Sequence, residues 1–353
     1  MGNYTKRIIL IYIFFLTINY GCDNKNNSNV MSFNNLSIED ISQIINPDSH
    51  EFVGFPSFIR TGKDYFLLYD SRRSVHKFDY EGNHVFSFGK EGRGPGEFQA
   101  ITNYWIRNDY FELYDYNGSK LLYFDLNCDF LYEKEIESRF HSVEVEKTEN
   151  NLFIVPSNGE NNSLLKIVDA EKENKIFFAG EVEYDEDHLS TERIRQIVNA
   201  GNLPNEMYHK IFIGYNDTGI FSYQRATANL QKFDMTGDLL WEKKIILPEQ
   251  EILFEKFKQE LFGQDRYIPE LSYARGVHVT KEGIAIMLNV PVGNSVKVLW
   301  VDNLGENIHI VEYPSLIRNE SFFLLRFRLA PEIGYILFTN SREGVVFKSK
   351  WPL

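Results

Sequence analysis

Tyr65 to Phe98 reads YFLLYDSRRSVHKFDYEGNHVFSFGKEGRGPGEF. Phe66 to Asp70 is an apolar run of strand length, Ser71 to Ser74 a polar turn, Val75 to Asp79 a second strand, Tyr80 to Asn83 a tight turn, and His84 to Phe88 a third strand. With Phe52 to Arg60 in front, four short antiparallel strands follow one another through tight connections, which is the content of one propeller blade. Weaker copies run from Ile101 to Ile136, Val143 to Val182, Ile211 to Leu247 and Tyr273 to Tyr313, and a short sixth from Phe322 to Trp351. Most contain an apolar residue followed by Asp at a strand end, as at Asp70, Asp79, Asp115, Asp125, Asp169, Asp234 and Asp302. A unit of this size cannot bury its apolar face alone and must stack on its neighbours. The sequence therefore predicts an all-β chain with residues 30–353 forming a single six-bladed β-propeller domain.

The sixth unit has only three strands before the chain ends at Leu353. Closure of the ring needs a fourth, because an open sheet edge between the first and last blades invites association. The segment Val30 to Asn34 is β-compatible and is expected to supply that outer strand. Ser37 to Ile45 behind it reads as a short helix, with Ser37 and Asp40 suited to its first turn.

At the N-terminus, Lys6 and Arg7 precede the apolar run Ile8 to Ile18 and then Asn19, Tyr20, Gly21 and Cys22. The run is too short to span a bilayer comfortably and has the layout of a secretory signal, residues 1–21. It resembles a bacterial lipoprotein signal, in which the cysteine becomes the acylated first residue. That resemblance implies lipidation at Cys22, a flexible tether over residues 22–29, and a place in the bacterial cell envelope, held on a membrane through the lipid. The other cysteine, Cys128, sits in a turn-like segment, so an acylated Cys22 leaves no intramolecular disulfide.

The first unit also resembles a known repeat. Asp70-Ser-Arg-Arg-Ser-Val-His-Lys-Phe-Asp79, then Gly82, then Gly89, Gly92, Gly94, Pro95, Gly96, Glu97 and Phe98, look like the NHL-type repeat of six-bladed β-propeller lipoproteins of Bacteroidetes-like bacteria. The resemblance implies the fold and the compartment, without a reaction. On its own chemistry the glycine-rich stretch is a compact connection needing positive φ. It lacks the Gly-Lys-Ser/Thr ending of a phosphate loop and opens no helix.

Strand direction sorts the loops. Second-to-third turns and blade-to-blade connections share one face of the disc, and both long insertions, Tyr184 to Lys210 and Pro248 to Leu271, are blade-to-blade connections. Helical spacing within them, at Ser190 to Ala200 and Ile252 to Phe262, predicts two helical insertions on that face. Insertions on a rigid scaffold are where binding commonly resides. The same face is expected to carry Arg72, Arg73, Arg93, Arg225 and Arg342, whose guanidinium forks suit a carboxylate or another anion. Tyr208, with Tyr215 and Tyr223, offers flat rings for a sugar or for packing between blades.

A net charge of -13 argues against nucleic acid, whose backbone binding needs clustered cations. The eight histidines are scattered, and no His-Glu-x-x-His, Cys-x-x-Cys or Gly-x-Ser-x-Gly occurs. No catalytic set, metal site or cofactor is therefore assigned. The reading is a binding or protein-interaction scaffold for a glycan, a peptide or an envelope protein. The alternative is a metal-dependent hydrolase or lyase with its site in the central channel, drawing on Asn103, Glu144, Asp217 and His278 near the inner strands.

Overall fold

Six apolar runs explain the radial order of the strands. In a computed structural model, Phe66–Asp70, Tyr110–Asp115, Leu152–Pro156, Gly219–Gln224, Gly283–Leu288 and Tyr335–Asn340 are each the second strand of a four-stranded antiparallel blade, the fifth of which gains one further strand at its edge. Each is buried almost throughout, because neighbouring sheets cover both its faces and strands flank both its edges. The fourth strands, such as His84–Phe88 and Phe130–Glu135, are mostly exposed and form the rim. The structure describes residues 33–353 except 52, 137–139, 141–143, 170–175, 183–188, 264–266, 292–294 and 317–324. The signal segment, Cys22 and the tether lie outside the described residues.

The innermost strands are Pro56–Thr61, Ile101–Ile106, Glu146–Lys147, Ile211–Asn216, Ala274–Val279 and Leu325–Ala330, one for each of blades 1 to 6. They follow one another around the axis. Apolar clusters fill the seams between blades. One joins Ile59, Phe66 and Phe78 of blade 1 to Leu337 and Val346 of blade 6. Another joins Ile154 and Leu165 of blade 3 to Ile213 and Phe233 of blade 4.

The recurrent Asp residues are turn builders. At the ends of third strands, Asp79 accepts the backbone N–H of Glu81 and Asn83, Asp125 that of Asn127 and Asp129, and Asp234 that of Thr236 and Asp238. This Asx-type geometry closes the outer turn with a local carboxylate. At the end of the second strand of blade 1, Asp70 accepts from Arg72 N, Ser74 N and His76 Nε2. Burial alone would raise the Asp70 pKa, yet His76 and the N–H groups of Gly54 and Ser74 hold it below the usual range.

Closure takes a form different in detail from the expectation. The outer strand of blade 6 is Ile41–Ile45, antiparallel to Val345–Lys350, so the predicted helix over Ser37 to Ile45 is corrected to a strand. Ile41, Ile44 and Ile45 have helical spacing, but β-branched side chains suit a sheet, and an unpaired edge was waiting for them. A register shift between Gln43 and Ile45 accommodates the adjacent pair and leaves Ile45 fully buried. The preceding strand is Asn34–Ser37, parallel to Ile308–Tyr313 of blade 5, giving that blade a fifth strand. The N-terminal segment therefore seals the last blade one strand later than expected.

Among the described residues, three α-helices stand in the connections: α1 (Thr191–Asn199), α2 (Asn205–Tyr208) and α3 (Glu249–Gly263). Ser190 caps α1, its hydroxyl accepting from Arg193 N. Ile194 and Val198 of α1 pack with Phe257 and Leu261 of α3 over Ala226, a residue of the second-to-third turn of blade 4. Both long insertions thus lie on one face.

Candidate functional site

Inner strands enter at the loop-bearing face and leave at the other, so their early residues lie near the loops. Arg275 and Arg326 are early residues of this kind, in blades 5 and 6, and Glu144 lies two residues before the short inner strand of blade 3. Arg225, from the turn under the helices, joins them. Arg225 and Arg326 lie near enough to Glu144 to favour its charged form, while burial and Glu146 oppose it. Burial wins, and the Glu144 carboxyl is pushed up to about 7. Burial also pulls Arg275 down to about 9, with neighbouring Arg326 adding to the effect. Arg326 is solvent-accessible, and its pKa is lowered by desolvation, with Arg225 adding to the effect and Glu144 opposing it.

These guanidinium groups are oriented by neighbours. Arg225 forms an ion pair with Glu270 at 3.0 Å, donates to Ser272 Oγ at 3.3 Å, and stands over the Phe212 ring at 4.7 Å. Arg275 donates to Asn289 Oδ1 at 2.6 Å.

Deeper along the axis, Arg60 ties blades 1 to 3 together. It donates to Tyr104 O at 3.0 Å and to Asn103 Oδ1 at 2.5 Å, and lies 3.9 Å from Glu146. Trp105 Nε1 donates to the same Glu146 at 3.0 Å. His278 of blade 5 accepts the backbone N–H of Leu329 at Nδ1, and burial, with Arg60 adding, pushes its pKa down to about 3. Its ring is therefore neutral. Glu112 forms a separate buried group, with Lys147 at 2.6 Å and Arg107 at 3.1 Å, and it presents no open space.

The residues singled out in sequence are dispersed. Arg73 pairs with Glu91 and donates to Gln99 O, which places a second-to-third turn beside a blade-to-blade connection. Arg72, Arg93 and Arg342 are exposed in their loops. Of the five arginines, Arg225 is the one tied electrostatically to Glu144 and Arg326. Asp217 is in an exposed turn on the opposite face. Among the described residues no group of three or more His, Cys, Asp and Glu side chains is arranged to hold a metal ion. Arg60, Arg275 and Arg326 were missed, although arginine inside otherwise apolar strands such as Leu325–Ala330 was the available signal.

The glycine-rich connection is an autonomous loop. Gly89 and Gly96 have φ of +68° and +73°, and a Cβ at Gly89 would meet the Phe98 ring at 2.5 Å. Glu97 accepts from Gly94 N at 2.8 Å and pairs with Lys90 at 2.9 Å. Cys128 is a buried turn residue at φ 72°, its thiol pushed up to about 11 by burial.

Tyr208 of α2 lines a cleft of about 840 Å³ between blades 3 and 4. Gly180, Glu181 and Val182 form one wall, and Gln224, Asn229, Gln231, Phe233, Leu239 and Glu242 the other.

Comparison with known proteins agrees with the architecture. A family model described as a 6-bladed beta-propeller, DUF5128, matches residues 23–196. Among solved structures, a Bacteroides fragilis protein described as exported is similar at 14% identity and a TM-score of 0.54, over 90% of this chain and 99% of that one. A Bacteroides vulgatus member of the DUF4221 family aligns at 8% identity and a TM-score of 0.46, over 89% and 94%. A Staphylococcus aureus virginiamycin B lyase aligns at 13% and 0.45, over 88% and 99%. No curated protein is detectably similar in sequence. The chain is a six-bladed β-propeller, similar over residues 23–196 to the DUF5128 propeller family.

Proposed function

We propose that this chain is a lipid-anchored, extracytoplasmic binding scaffold whose loop-bearing face receives an anionic group of a partner protein or peptide at the mouth of the axis. The observation that carries the reading is the gathering of Arg225 and Arg326 around Glu144, with Arg275 beside Arg326, at the end of the axis beside the helical insertions. Cations crowded in a partly desolvated space are stabilised by an incoming carboxylate, which meets a preformed fork of donors. A rigid propeller adds little reorganisation cost on binding. The basic and apolar leader ending at Cys22 supports export and anchoring, with the Asn-rich residues 23–29 as the tether.

Citrate is a suitable probe of the axial cluster. Calorimetry on the processed chain should find binding that weakens about tenfold or more in Arg326→Ala. Absence of citrate binding in the wild type would defeat the axial assignment. Anchoring is tested separately: Cys22→Ser should move the protein from the membrane fraction to the soluble one.

A further inference from the structure

The cleft between blades 3 and 4 is chemically unlike the axis. Its lining contains Glu181, Asp238 and Glu242 and neither Lys nor Arg, so it disfavours anions. Two amides organise its floor. Asn229 and Gln231 lie two apart on the third strand of blade 4 and face the same way, and Gln231 is directly opposite Glu242 in the register. Asn229 Nδ2 donates to Glu242 Oε1 at 2.7 Å, and Gln231 Nε2 to Oε2 at 3.3 Å.

An ionised carboxylate only accepts hydrogen bonds, so both amides must turn their NH₂ groups to it. Their carbonyl oxygens are thereby left as acceptors. Asn229 Oδ1 and Gln231 Oε1 are both buried with no donor among the described residues, and Gln231 is only 7% exposed. A buried acceptor without a partner is costly, and a ligand that supplies the donor recovers that cost. Both acceptors lie on one strand, beside Glu242 of the next, with the apolar side chains of Phe233, Leu239 and Val182 and the ring of Tyr208 around them.

From this arrangement we infer that the cleft is a carbohydrate site, taking one or two uncharged sugar rings. Hydroxyl groups bond the Glu242 carboxylate, and small rotations of the two amides bring Asn229 Oδ1 and Gln231 Oε1 to them, while the C–H face of a ring lies against Tyr208. The two amide NH₂ groups already meet the Glu242 carboxylate, so what the cleft lacks is neutral donors of the kind ring hydroxyls supply. The volume falls within the range of small-molecule sites.

The test is saturation-transfer NMR and calorimetry on the processed chain with cellobiose, maltose, lactose and N,N′-diacetylchitobiose. At least one should bind, with affinity weakened about tenfold in Gln231→Leu and at least about fivefold in Tyr208→Ala. Gln231→Leu keeps the volume while removing the acceptor, and Tyr208→Ala acts at the cleft wall, so one variant remains informative if the other misfolds. Unchanged melting temperatures identify the folded variants. The inference is overturned if none of the four disaccharides saturates at about 20 mM, if both folded variants bind like the wild type, or if spermidine displaces the sugar from the cleft.

Discussion

His278 Nδ1 of blade 5 accepts the backbone N–H of Leu329 in blade 6 at 2.9 Å, so one imidazole stitches two inner strands together. That bond requires an unprotonated Nδ1, and burial followed by the charge of Arg60 keeps the ring neutral down to about pH 3. In the unfolded chain the same ring protonates near 6.5. Its contribution is complete above pH 6.5 and is lost as pH falls towards 3, because the unfolded chain binds the extra proton.

His278→Asn retains an acceptor without a titrating ring. Thermal unfolding between pH 7 and 4 should therefore show a flatter pH dependence in this variant, with a difference of at most about 2 kcal/mol between pH 6.5 and 5. Parallel curves would remove His278 from the acid sensitivity of the fold.

Glu144 has the opposite sign. Its carboxyl is raised from 4.5 to about 7, so the folded protein holds a proton that the unfolded chain releases, and stability declines as pH rises through that interval. Glu144→Gln should equal the wild type near pH 4 and exceed it at pH 8 by up to about 3 kcal/mol. The same change removes the anion already facing Arg225 and Arg326, so citrate should bind the variant more tightly. A variant less stable at pH 8, with weaker citrate binding, would show that Glu144 organises the arginines instead of competing for them.

How much was legible in the sequence followed the range of the interactions. Asp79, Asp125 and Asp234 build their turns from N–H groups two and four residues ahead, so the repeat showed in the linear order of residues. The strand order and the face bearing α1 and α3 followed from that repeat. The axial cluster did not, because Glu144, Arg225, Arg275 and Arg326 come from four different blades and adjoin only when the ring closes. Ile41–Ile45 was misread for a related reason: its spacing suits a helix when considered alone, and the edge at Val345–Lys350 decides its conformation. The blade 3–4 cleft was half visible, since Tyr208 stood out as an aromatic in a long insertion, while the pairing of Gln231 with Glu242 depends on register.

Glu112 is completely buried and bonded to both Arg107 and Lys147. Burial lowers the Lys147 pKa, and the charge of Glu112 opposes that shift. Removing the carboxylate leaves two cations facing each other without compensation, which costs more than the pair itself contributes. Glu112→Gln should destabilise the protein by about 3 kcal/mol in denaturant titrations, while citrate binding by the protein that remains folded is unchanged. A loss under about 0.5 kcal/mol would mean that the triad is energetically neutral.

Closure can be challenged from both sides of the seam. Ile45 is fully buried in a cluster with Ile59, Phe66 and Val346, and Lys348 Nζ donates to Tyr80 O at 2.6 Å across the same boundary. Ile45→Asp places a carboxylate in that cluster and should cost about 3 kcal/mol or more, whereas Ile45→Val should cost about 1 kcal/mol. Releasing this strand uncovers the edge of Val345–Lys350, so the Asp variant should form oligomers on size-exclusion chromatography. From blade 1, Gly82 approaches the same strand: at φ +87° its added Cβ would lie 2.1 Å from Ile44 O. Gly82→Ala should therefore reproduce the loss of stability without any change in the apolar cluster. Monodisperse, fully stable Ile45→Asp and Gly82→Ala proteins would mean that the ring holds without its N-terminal strand, and the edge of blade 6 would then need another explanation for its solubility.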